Sequence, residues 1–113
     1  EQVLLEKRQQ NGLLAGMWGL PTIESIPQEK MREKVEEYLF TKGLIRSSFE
    51  LIGSFDHIFS HRHWQITILS VLIDNKDDLT IGGDNDWFFI RDLSQVALAN
   101  VYRKALKIIS NFH

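Results

Sequence analysis

Residues 49–73 read FELIGSFDHIFSHRHWQITILSVLI and hold three of the chain's four histidines. From Phe49 to Phe59 the odd positions carry Phe49, Leu51, Gly53, Phe55, His57 and Phe59, whereas the even ones include Glu50, Ser54 and Asp56. Successive side chains of a strand leave opposite faces, so a period of two predicts a strand with one face buried. From Trp64 to Ile73 both faces are apolar, with Trp64, Ile66, Ile68 and Leu72 set against Leu69, Val71 and Ile73. That pattern predicts a central strand covered on both sides, and the two segments together predict a hairpin.

The hairpin's tip, Ser60-His61-Arg62-His63, has none of the Gly, Asn, Asp or Pro that make tight turns. A solvated polar tip is the simplest account of it. A ligand-contacting loop explains more of its chemistry. Phe59 offers a ring for stacking, Ser60 a hydroxyl that both donates and accepts, and His57, His61, Arg62 and His63 offer partners for phosphate.

With 113 residues, 43% hydrophobic and 25% charged, the chain has the size and balance of one globular domain, residues 1–113, with its own core. It contains no cysteine, which excludes disulfides, thiolate zinc sites, Cys-ligated iron–sulfur clusters and a Cys nucleophile. The expected setting is intracellular, a bacterial cytoplasm, with the domain monomeric. No apolar run approaches the ~18 residues of a spanning helix and no secretory signal opens the chain, so no membrane partner is expected. The sequence starts at Glu1 and runs directly into a strand, as expected of a domain cut from a longer polypeptide. A net charge of −2 argues against a stand-alone nucleic-acid binder and confines any such contact to a local patch.

In chain order, residues 2–8 (QVLLEKR) predict a short strand with Val3 and Leu5 on one face. Asn11-Gly12 predicts a turn, and residues 12–21 a glycine-rich packed loop feeding a short strand at Trp18 to Leu20, with Trp18 as its anchor. Ser25 as N-cap, Gln28 completing a capping box and Pro27 in the first turn predict a helix over 26–41, stopped by Gly43. Met31, Val35, Tyr38 and Leu39 form its apolar stripe. Residues 74–78 predict a polar turn, 79–81 a brief strand and Trp87 to Ile90 the last strand. Leu98, Val101, Tyr102, Ala105, Ile108, Ile109 and Phe112 then form a helical stripe, opposite Arg103, Lys104 and Lys107. That cationic trio reads as a solvated face, with phosphate contact as the sharper reading. The elements define an α+β class, a mixed twisted sheet packed by two helices.

Two motifs, Leu14-Ala15-Gly16-Met17-Trp18-Gly19-Leu20-Pro21 and Phe55-Asp56-His57-Ile58-Phe59-Ser60-His61, resemble the C-terminal domain of the MutY family of adenine DNA glycosylases. The segment Ala97 to Leu106 also fits that domain's ending, so the resemblance spans nearly the whole chain. It implies a Nudix-like (MutT-like) fold that follows a helical catalytic domain and helps to recognise 8-oxoguanine opposite adenine. The glycosidic bond of that adenine is then hydrolysed by the parent enzyme in base excision repair. The catalytic pocket and a 4Fe-4S cluster are implied for the preceding domain, so this piece alone is expected to be no enzyme. Its implied partners are duplex DNA holding adenine opposite 8-oxoguanine and the catalytic domain of the same polypeptide.

Position by position, the resemblance makes Phe59, Ser60 and His61 the loop that meets 8-oxoguanine, with His57 as the first histidine of the pattern and Arg62 beside it. The chemistry agrees. Guanine N7 only accepts, whereas 8-oxoguanine carries a proton there, so a reader needs an acceptor at that point. A serine hydroxyl accepts that proton and turns its own hydrogen toward O6. Phe59 is expected to press on the bases as an apolar wedge, with His61 and Arg62 on phosphates.

The main alternative is a Nudix hydrolase of nucleoside triphosphates, because Arg32-Glu33-Lys34-Val35-Glu36-Glu37 resembles the glutamate-rich heart of the Nudix box. Counting back from Arg32 places Glu24 at the earlier glutamate. The same register puts Trp18 at the first glycine, Lys34 at an aliphatic position and Leu39 at the second glycine. Tryptophan cannot replace a glycine that permits close backbone approach, so the box reads as degenerate and no metal site is expected at Glu33, Glu36 and Glu37. A protein-interaction module without a nucleic-acid role is a third reading, favoured by the acidic balance.

Overall fold

The computed structural model describes residues 2–8, 16–59, 61–79 and 84–112, with the backbone alone for 110–112. The expected turn at Asn11-Gly12, the first part of the glycine-rich loop and most of the expected strand at 79–81 lie outside the described residues. The order is β1 (Gln2–Lys7), β2 (Trp18–Gly19), α1 (Met31–Lys42), β3 (Arg46–Phe59), β4 (Arg62–Ile73), β5 (Asn85–Phe89) and α2 (Asn100–Phe112).

The strands form two sheets, β2-β1-β5 and the β3-β4 ribbon, all paired antiparallel. A parallel bridge between Trp18 and Leu98 ties β2 to the segment entering α2, where Trp18 N–H donates to Ala97 O at 2.9 Å. The central strand among the described residues is therefore β1, not β4. Its residues sort by face. Leu5, fully buried, and Val3 join a core with Leu93, Leu98, Val101 and Tyr102, whereas Leu4 joins a second core with Leu39, Leu44 and Leu79. On β5, Phe88 follows the first core and Trp87 the second, as a strand covered on both faces requires. Helix α2 closes one side and α1 the other.

The ribbon corrects the reading of residues 49–59 as one unbroken alternation. Leu51 pairs with Leu69 and Gly53 with Ile68, so Ile52 is an extra residue and a β-bulge. An odd insertion exchanges the two faces. On the tip side of the bulge, Phe55, Phe59, Trp64 and Ile66 pack on the first core; on the far side, Val71 and Ile73 pack on the second. Leu51 and Leu72 are left 59% and 61% exposed, and among the described residues β4 pairs with β3 alone.

Two helix expectations also shift. Ser25 makes no cap: its φ of 59° is left-handed, whereas an N-cap is extended. Pro27 disfavours helical angles at the residue before it and is itself extended, at φ −66° and ψ 149°, so a 3₁₀ turn at Gln28–Lys30 comes first and α1 starts only at Met31. Gly43 ends it as expected, at φ 71° with its N–H on Leu39 and Phe40 carbonyls. The last strand begins two residues earlier than predicted and stops before Ile90, which opens a 3₁₀ segment.

Candidate nucleic-acid interface

Pairing in the ribbon decides which tip residues share a face. Phe59 lies opposite Arg62 and His57 opposite Trp64, whereas Ile58 lies opposite His63 and Asp56 opposite Gln65. The first set turns toward α2 and the first core. Phe59 is half-buried there, its ring edge-on to His57 at 4.4 Å and to Trp64 at 4.9 Å between centroids. It is an anchored ring. The second set faces solvent, where Ile58 is 71% exposed and His63 Nε2 lies 3.6 Å from Asp56 Oδ2. His61 and Arg62 are exposed at the turn. Ser60 lies outside the described residues.

Two cations that local sequence did not assign to the tip come together beneath it. Arg8, at the end of β1, sets its guanidinium 5.6 Å from the Trp64 ring centroid and donates to Tyr102 OH at 3.0 Å. Its other amino group lies 3.7 Å from Glu24. Tyr102 OH also shares a hydrogen bond with Thr22 at 3.2 Å. From α2, Lys104 Nζ lies 2.9 Å from His57 Nδ1. An ammonium only donates, so Nδ1 is the acceptor and the ring proton sits on Nε2. Partial desolvation first, then the charge of Lys104, lowers the His57 pKa below its ordinary value, which keeps the ring neutral. The other cation beside Lys104 is structural: Arg103 donates to the carbonyls of Leu93 and Val96. Arg8, Trp64 and Lys104 lie 40 or more residues apart along the chain, and no spacing signal joins them.

The glutamates of α1 are drawn into ion pairs. Glu33 pairs with Lys30 at 3.6 Å, Glu37 with Lys34 at 3.2 Å, and Glu36 with Arg46. Arg32 stacks over Phe49 at 5.1 Å, and Glu24 turns to Arg8 rather than to α1. Among the described residues no three of His, Asp and Glu gather as metal ligands.

Strands flanked by one helix on each side, with a glutamate-bearing helix after β2, define an α+β Nudix-like fold. The chain belongs to the NUDIX domain family, whose sequence profile matches residues 1–107. It is 26% identical over 109 residues to the adenine DNA glycosylase of mouse, covering 94% of this chain and 21% of that protein. The corresponding protein of Schizosaccharomyces pombe is 29% identical over 118 residues, covering 93% and 25%. The chain thus spans about a quarter or less of the length of these relatives. In fold it matches the C-terminal domain of mouse MUTYH, solved in complex with human PCNA, with a TM-score of 0.77 and 22% identity over 97% of this chain and 76% of that one.

Proposed function

We propose that this chain is the lesion-recognition domain of an adenine DNA glycosylase, reading 8-oxoguanine opposite adenine through the hairpin tip at Phe59, Ser60 and His61. The observation that carries the reading is the tip itself. Phe59 is fixed between His57 and Trp64 while His61 and Arg62 stand exposed, a rigid aromatic base under an open, cationic edge. Relatives matched over more than nine-tenths of the chain are adenine DNA glycosylases, and base removal would reside in the remainder of the polypeptide. The chain has no cysteine, so the implied 4Fe-4S cluster finds no thiolate here and belongs, in this reading, to that remainder. No described helix is long and apolar enough to cross a membrane, and the named relatives from mouse, fission yeast and human give no reason to prefer a bacterial source.

The test is single-turnover adenine release and duplex affinity in the full-length protein, on substrates differing only in 8-oxoguanine or guanine opposite adenine. Ser60→Ala removes the acceptor for the N7 proton and should lower the lesion preference by about 1–3 kcal/mol, the worth of a good base-edge contact. A water or neighbouring carbonyl that takes the proton brings the loss to the low end. Replacing Phe59, Ser60 and His61 together should remove most of the preference. A folded triple variant that keeps it overturns the assignment.

Membership of the NUDIX family favours one second reading, divalent-metal hydrolysis of nucleoside triphosphates. It is tested with millimolar Mg²⁺ or Mn²⁺. Because the α1 glutamates are held by Lys30, Lys34 and Arg46, no turnover is expected; turnover abolished by Glu36→Gln and Glu37→Gln would establish the hydrolase instead.

A further inference from the structure

We infer that Lys104 of α2 and His57 of β3 form a backbone-phosphate clamp beside the base-reading tip, a site built from two elements and separate from the Phe59-Ser60-His61 loop. This rests on the proposed duplex-binding role. Three features of the pair point to an anionic ligand.

The first is the partner of the ammonium. Arg8, Lys30, Lys34, Lys42, Arg46 and Lys76 each lie within reach of a carboxylate. Lys104 instead meets the imidazole of His57 at 2.9 Å, and no ion pair involving it occurs among the described residues. An uncompensated positive charge is fixed there.

The second is the donor count. With Nδ1 accepting from Lys104, the ring offers Nε2–H, and Nζ keeps two further N–H groups. Neither partner presents an acceptor outward, so the pair suits a ligand made only of acceptor oxygens. The carboxylate nearest in sequence, Asp56, sits on the opposite face of the ribbon with His63.

The third is position. His57 lies edge-on to Phe59 at 4.4 Å, so a phosphate held by the clamp is next to the ring under the tip. Lys104 is at the same time fixed to α2, a helix whose buried stripe is part of the first core. Phosphate contacts of this kind set orientation and register without carrying sequence information. The clamp would seat the duplex while the loop reads the base.

The experiment measures affinity of the full-length protein for duplexes with adenine opposite 8-oxoguanine and opposite guanine, across a salt series. One lost phosphate contact should lower the slope of log affinity against log salt by about 0.9. Lys104→Ala should show that loss and weaken both duplexes by the same factor, and Lys104→Arg should restore the slope. His57→Phe, which keeps a ring on Phe59 and removes Nε2–H, should also weaken both duplexes equally. Thermal melting checks that each variant is folded. An unchanged slope in folded Lys104→Ala overturns the clamp, as does a loss confined to the 8-oxoguanine duplex, which would make Lys104 a support for the loop. A wild-type protein that ignores the lesion while Lys104→Ala still loses slope overturns the lesion reading and leaves the clamp standing.

Discussion

The guanidinium of Arg8 lies over the Trp64 ring, 5.6 Å from its centroid, and joins the end of β1 to the first residues of β4. Its hydrogen bond to Tyr102 extends the join to α2. Cation–π attraction and a hydrogen bond at a largely buried side chain are worth about 1–3 kcal/mol together, so Arg8→Ala should destabilise the domain by that amount in urea unfolding. Arg8→Lys should recover only part, because a point charge lacks the flat fork. A neutral Arg8→Ala would show that the stack does not hold the hairpin.

Gly19 lies against the ring of Tyr102. A Cβ at this position would stand 2.5 Å from Tyr102 Cε2 and 2.8 Å from Cζ. The ring is 5% exposed and buried in the first core, so it has little room to retreat. Gly19→Ala should cost about 1–3 kcal/mol as overpacking, read as a lowered melting temperature. It should also disturb the Tyr102 contacts with Arg8 and Thr22, visible as shifted amide resonances at those residues.

Tyr38 donates its hydroxyl to Glu6, which Lys42 approaches at 3.7 Å. Burial first, then the hydrogen bond and negative charge of Glu6, raise the phenol above its ordinary pKa. A group whose folded pKa is raised contributes stability that is complete below its unfolded pKa, about 10, and is lost as pH rises through the folded value. In alkaline titration Tyr38 should therefore ionise only as the domain unfolds. Tyr38→Phe should remove this alkaline dependence and cost about 1.5–3 kcal/mol, the range for hydrogen bonds to charged groups.

His57 has the opposite sign. Desolvation and then Lys104 lower its pKa, so its contribution is present above the unfolded value of about 6.5 and is lost as pH falls through the lowered folded value. Acidification below that range should destabilise the wild type more than Lys104→Met, in which the repelling charge is gone. Parallel melts of the two proteins down a pH series measure the difference, and coincident curves would contradict it.

Much of this architecture is legible in local patterns. The hairpin, the stop at Gly43 and the stripe of α2 follow from alternation, a left-handed C-cap and helical spacing, all of them interactions within a few residues. The sequence misleads where the deciding partner is distant. Leu69 to Ile73 look buried on both faces, yet Leu72 is exposed and, among the described residues, β4 pairs only with β3. Ser25 and Gln28 spell a capping box that Pro27 and the left-handed Ser25 prevent. The site divides in the same way. Phe59, His61 and Arg62 are visible as a motif, whereas Arg8 and Lys104 reach the tip only through the fold.

The bulge at Ile52 makes the ribbon serve two cores at once. On β4 the alternation is unbroken, so Trp64 and Ile66 face the first core and Val71 and Ile73 the second; on β3 the extra residue carries Leu51 onto one face and Phe55, His57 and Phe59 onto the other. Deleting Ile52 would leave Gly53 opposite Ile68 in a regular ladder and keep the tip rings inward, whereas inserting a second residue there would set Phe55, His57 and Phe59 against the pairing that β4 offers. The length of this segment is thus constrained from the β4 side of the hairpin, seven positions before Phe59.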